Sequence, residues 1–106
     1  MAALRRITPR AMTTLAFGSI SASYATLQSL LPGRGVIIFI TNSLDKDTII
    51  SLDGGTTDFI QLPGLTNLTI DLGANGAEYS GTIQVKQGTG GAMASGFISC
   101  GVLRVL

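Results

Sequence analysis

From Thr13 onward apolar and polar residues alternate with a period of two rather than 3.6. β-branched residues fill the runs, and Gly, Pro, Asn and Asp punctuate them. This pattern predicts eight strands: Thr13–Ser19, Tyr24–Ser29, Gly35–Thr41, Thr48–Leu52, Thr57–Leu62, Asn67–Leu72, Thr82–Gln87 and Ser95–Val105. The separators carry turn chemistry. Leu31-Pro32-Gly33 suits a type II turn, Asn42–Asp47 a polar loop, Asp53-Gly54-Gly55 and Leu62-Pro63-Gly64 tight reversals, and Gly88–Gly91 a flexible connection. Gly73–Gly81 is the longest irregular stretch.

The strands differ in how many faces they bury. Leu68, Ile70 and Leu72 alternate with Asn67, Thr69 and Asp71, and Ile83 and Val85 with Gln84 and Lys86, so those strands keep one wet face. Val36-Ile37-Ile38-Phe39-Ile40 is apolar on both faces, and the run from Phe97 to Leu106 nearly so. These third and eighth runs belong in the middle of a sheet. In an eight-stranded jelly roll the third and eighth strands are interior neighbours. The expectation is therefore an all-β, eight-stranded antiparallel β-sandwich, jelly-roll-like, occupying residues 13–106, with an extended N-terminal arm over residues 1–12. Such a sandwich has no further layer of its own outside the central strands. Ile37 and Phe39, or their alternates, should then face the folded-back arm or another subunit.

Composition sharpens this. Only 12% of the 106 residues are charged, about half the usual share, while 45% are hydrophobic; the mean hydropathy is +0.46. Solvent-facing positions hold Thr, Ser and Gly where Lys, Glu, Asp and Arg are usual, which suits a surface that packs against protein. The net charge of +1 exerts little pull on nucleic acid or membrane. It is unevenly spread, since Arg5, Arg6 and Arg10 precede the first acid, Asp45. In the arm Leu4, Ile7 and Met12 interleave with these arginines and Pro9 favours extension, a pattern able to lie along a neighbour. Three Arg without interleaved aromatics make a weak nucleic-acid footprint. Ile7-Thr8-Pro9-Arg10 interrupts any signal-like apolar run, and no stretch approaches the roughly 18 apolar residues of a membrane span.

Candidate chemistry is sparse. With no His and one Cys, the usual general base, a paired-thiol zinc site and an internal disulfide are missing, and Cys100 reads as a small buried hydrophobe. Asp45, Asp47, Asp53 and Asp58 around Gly54-Gly55 do not meet the calcium-loop pattern and read as turn caps. Gly33-Arg34-Gly35 and Gly88-Thr89-Gly90-Gly91 lack the Lys-Ser/Thr and helix start of a phosphate cradle. Asp71 and Glu78 could be a carboxylate pair only on paper. The expectation is no enzyme, no metal and no cofactor.

Between Ile38 and Asn75 a strand ending Thr41-Asn42 leads through a polar loop to Ser51-Leu52-Asp53-Gly54, then Leu62-Pro63, then a strand carrying Asp71-Leu72 and Asn75. In this order of motifs the segment resembles small virion proteins of tailed bacteriophages. The resemblance implies a capsid cement or decoration protein that binds major capsid protein subunits and stabilises the phage head. The partners expected are then the major capsid protein and further copies, as a homo-oligomer or lattice-bound subunit on the virion surface, with no membrane and no nucleic acid. The contact residues expected are Leu4, Arg5, Arg6, Ile7, Arg10, Ile37 and Phe39. The alternative reading is a tail, fibre or surface module binding host glycans through loops such as Asp53–Asp58 and Gly73–Gly81.

Overall fold

The computed structural model describes residues 7–29, 34–71 and 81–105. Two four-stranded sheets pack face to face. Their strands are β1 (Ile7–Ala16), β2 (Ala25–Ser29), β3 (Arg34–Asn42), β4 (Thr48–Ser51), β5 (Ile60–Leu62), β6 (Thr66–Asp71), β7 (Thr82–Gln87) and β8 (Phe97–Val105). The first sheet runs β1-β8-β3-β6 and the second β2-β7-β4-β5, every pairing antiparallel. The chain is an all-β, eight-stranded antiparallel sandwich. The two most apolar strands, β3 and β8, are neighbours in the interior of the first sheet, as their two-faced apolar character requires.

Alternation sorts the side chains. Ile38 and Ile40 of β3, Ile98, Cys100 and Val102 of β8, Ile50 of β4, and Ile83 and Val85 of β7 meet in one core with Leu27, Leu44 and Leu62. Leu15, Leu68 and Ile70 close it from the edge strands of the first sheet.

β1 begins at Ile7 rather than Thr13, so residues 7–12 are part of the sandwich; residues 1–6 lie outside the described residues. Pro9 is tolerated because β1 is an edge strand, where a missing N–H need not interrupt a ladder. The strand ends at Ala16, and Phe17–Ser19 form a 3-10 turn in place of the last expected strand residues. β5 is shorter than expected, since Asp53 accepts the amides of Thr56 and Thr57 and folds the preceding residues into a compact turn. The turns at Leu31-Pro32-Gly33 and across residues 72–80 fall outside the described residues.

At the β5–β6 reversal the left-handed residue is Leu65, with φ of 61°, and not the preceding glycine. Gly64 meets a different demand there. A Cβ on it would sit 2.8 Å from the Leu44 carbonyl oxygen, and its amide donates to Asp47 Oδ1 at 3.2 Å.

Candidate interaction surface

The outer faces of the two sheets differ in kind. On the second sheet Lys86 Nζ lies 3.1 Å from Asp58 Oδ1 and 4.6 Å from the Tyr24 ring centroid, and the Tyr24 hydroxyl donates to Asp58. Desolvation and that bond to Asp58 push the Tyr24 hydroxyl up to about 12. Asp58 is held below its ordinary value, first by Tyr24 and then by Lys86. Gln84 and Gln61 continue this polar face, bonding Thr26 and Asp47. It is a hydrated surface, latched by its own charges.

The outer face of the first sheet carries an apolar centre with a mostly uncharged polar margin and is set out by register. One row across the strands holds Asp71, Ile37, Leu103 and Pro9, and the next Thr69, Phe39 and Gly101 beside the Ala11–Met12 bulge of β1. The third holds Asn67, Thr41, Ser99 and Thr14, and Phe97 and Ala16 finish the face. Phe39, Phe97 and Met12 are 43%, 46% and 68% exposed, and Phe17, also exposed, follows β1 with its amide on the Gly96 carbonyl. Four of the six exposed large hydrophobic residues among the described residues thus lie on or beside one face. Clustering of this kind marks an interaction surface, where scattered single residues would not.

At the centre of the face is a notch. Gly101 sits between Phe39 and the β1 bulge, and a Cβ there would meet nothing within 4 Å. A mid-strand glycine gives up side-chain packing. Nothing among the described residues demands one here.

The expected contact residues are placed unevenly. Ile37 and Phe39 lie side by side along β3 on this face. Arg10 does not reach outward: its Nε donates to Gln28 Oε1 at 3.3 Å, while Gln28 Nε2 donates to the Ala11 carbonyl at 3.1 Å, tying β1 to β2. Ile7 opens β1 opposite Val105. Leu4, Arg5 and Arg6 lie outside the described residues. Phe97 and Gly101 complete the surface and are absent from the expected contact residues, while Met12, one of the apolar residues of the expected arm, joins them from the bulge of β1. The available signal was the parity of Phe97 and Gly101 with Leu103 in the eighth run.

The acidic residues are occupied by turns. Asp45 accepts the amides of Ala94 and Ser95, Asp47 those of Gly64 and the Gln61 side chain, and Asp53 those of Thr56 and Thr57 together with the Ser51 hydroxyl. The bonds from Thr57 and Ser51 draw the Asp53 carboxyl down to about 2. Among the described residues no three His, Cys, Asp or Glu side chains group as metal ligands would. Asp71 stands on edge strand β6, and Glu78 lies outside the described residues. Cys100 is buried, and desolvation pushes its thiol up to about 12. No helix among the described residues is long and apolar enough to cross a membrane.

No protein-family model matches this chain, and no curated protein does. Its fold is similar to a solved structure from the work "Bacillus endospore appendages form a novel family of disulfide-linked pili". The TM-score is 0.57 over 98% of this chain and 92% of that one, at 11% identity. That likeness establishes the shared fold alone. The sandwich has a counterpart in a protein of filamentous appendages.

Proposed function

We propose that the chain is a non-catalytic structural subunit, a capsid cement or decoration protein of a tailed-phage virion that binds major capsid protein subunits and stabilises the head. The observation that carries the structural part is the apolar outer face of the first sheet, with Phe39, Phe97 and Met12 exposed around Gly101. The virion assignment draws on the Ile38–Asn75 resemblance. The N-terminal Leu4, Arg5 and Arg6 are the residues offered to the capsid, and the apolar face joins the subunit to its neighbours. At about 25 cal/mol per Å2, 400 Å2 of apolar contact contributes roughly 10 kcal/mol before association costs, and a lattice repeats that gain at every seam.

The test is co-sedimentation of the purified chain with phage heads assembled without it, followed by thermal melting of the heads. Saturating binding and a higher melting temperature are expected. Heads that neither bind the chain nor gain stability remove the capsid reading.

A second reading, a subunit of a surface filament, is favoured by the fold likeness to the endospore pilus protein. The one cysteine of this chain is buried within the core, so a filament of it would be held by non-covalent contacts. Electron microscopy of the concentrated chain distinguishes filaments from discrete oligomers.

A further inference from the structure

We infer that the outer face of the first sheet is covered by the same face of a second copy, in a two-fold pair whose axis runs along the strands between β3 and β8. The inference rests on the structural-subunit reading and names which neighbour covers the face.

The reason lies in the register. Viewed onto the face, Phe39 and Gly101 are adjacent partners on β3 and β8, a protrusion beside a hole. A two-fold axis parallel to the strands and midway between them sets the β3 row of one copy over the β8 row of the other. Phe39 then enters the notch over the partner copy's glycine, and the reverse contact follows by symmetry, as an isologous interface requires. The same operation sets Ile37 over leucine 103 of the second copy, apolar on apolar. The two phenylalanine rings come to lie one strand spacing apart, about 4.8 Å, within the range of aromatic pairs. An axis across the strands would drive ring onto ring. The β1 bulge adds Met12 as a wall of the notch.

Area and charge agree with a second copy as occupant. Three strands counted at nine residues each and the six-residue β6, at about 4.8 Å between strands and about 3.3 Å per residue, give a face of roughly 520 Å2 in projection. Side-chain relief raises the accessible area above this, into the ~600–1,000 Å2 per partner that stable interfaces bury. Two charged residues fall in the register of this face among the described residues, Asp71 opposite Ile37 and Arg34 opposite Val105; they are of opposite sign and both lie toward one end of it, where a rim stays wet. A neutral face needs a neutral partner, which its own copy supplies; the outer face of the second sheet, with Lys86 and Asp58, is not self-matching in this way.

Analytical ultracentrifugation of the full chain across a concentration series tests the pairing. The wild type is expected to be a dimer at micromolar concentration. Gly101→Phe fills the hole with a ring that meets Phe39 of the other copy and is expected to yield a monomer with an unchanged circular dichroism spectrum. Phe39→Lys is expected to weaken the dimer at least ~30-fold, the scale of a central interface anchor. The decisive variant is the exchange Phe39→Gly with Gly101→Phe, which moves protrusion and hole to each other's strands under the same axis and is expected to restore dimerisation lost in Gly101→Phe. A wild type that stays monomeric at millimolar concentration overturns the pairing, as does a dimer indifferent to both single substitutions. Head binding is scored separately. A monomer that binds heads overturns the pairing and leaves the structural role, whereas a dimer with no affinity for heads supports the pairing and removes the capsid role.

Discussion

Asn42 offers the sharpest test of how this sandwich is held together. It ends β3 fully buried, and its Nδ2 faces the carbonyl oxygens of Leu62 at 3.0 Å, Pro63 at 3.1 Å and Lys46 at 3.3 Å, with the Thr48 hydroxyl at 3.4 Å. Its Oδ1 accepts the Leu44 amide at 3.0 Å. One amide side chain therefore pins the β3–β4 loop to the β5–β6 turn, joining the two sheets at one end. Asn42→Ala strands the Leu44 N–H and one or two carbonyls in a dry site. At about 1–3 kcal/mol per orphaned buried group, the expected loss is about 3–5 kcal/mol. In a domain of this size that is a fall of roughly 15–30 °C in melting temperature. Asn42→Asp separates the two halves of the network. It keeps the acceptor for Leu44 but turns a carboxylate toward the three carbonyls, so it should be at least as damaging at pH 7. Burial among acceptors raises the carboxyl pKa in the folded state, so the lost stability returns as pH falls and the carboxyl regains its proton. Urea denaturation at pH 7 and pH 4 reads both effects. A loss below about 1 kcal/mol for Asn42→Ala, or an Asp variant as stable as wild type at neutral pH, would refute the hub assignment.

Other consequences are as direct. Leu65 is 80% exposed at φ of 61°, a conformation that costs a side-chain-bearing residue about 1–2 kcal/mol, so Leu65→Asn should raise the melting temperature by several degrees in differential scanning calorimetry. The Asp53 carboxyl is drawn down to about 2, so its contribution to folding is complete above the ordinary carboxylate range near 4 and is lost as pH falls from there through 2. Asp53→Asn should accordingly flatten the acid limb of a stability-against-pH curve. Cys100, its thiol pushed up to about 12 by burial, should resist a thiol reagent in the native chain at pH 8 and react at once in denaturant; labelling of the native chain at the free-thiol rate would show the core assignment to be wrong.

The strand pattern was legible because period-two alternation is a local signal. Ile83 and Val85 against Gln84 and Lys86 read the same way in the chain and in β7. The central position of β3 and β8 was legible too, since the continuous apolar run from Val36 to Ile40 marks an interior strand of a sheet. The start of β1 was not. Arg5, Arg6, Pro9 and Arg10 lower the local strand signal, and what decides the matter for residues 7–12 is a ladder with β8, nearly a hundred residues away. The roles of the acids divide similarly. Asp53 serves its own turn, as Asp beside glycines suggests, but the bonds from Asp45 to Ala94 and Ser95 join two loops that no local pattern connects.

The sequence by itself determined that this chain is an all-β sandwich poor in charge, with two strands apolar on both faces, because those properties depend on composition and nearest-neighbour spacing. Only the tertiary structure decided that Phe39 pairs with Gly101 across β3 and β8, that Met12 and Phe97 join them on one face, and that Arg10 is bonded to Gln28. Those adjacencies arise from register between distant strands, and a one-residue slip in that register would carry each side chain to the opposite side of its sheet.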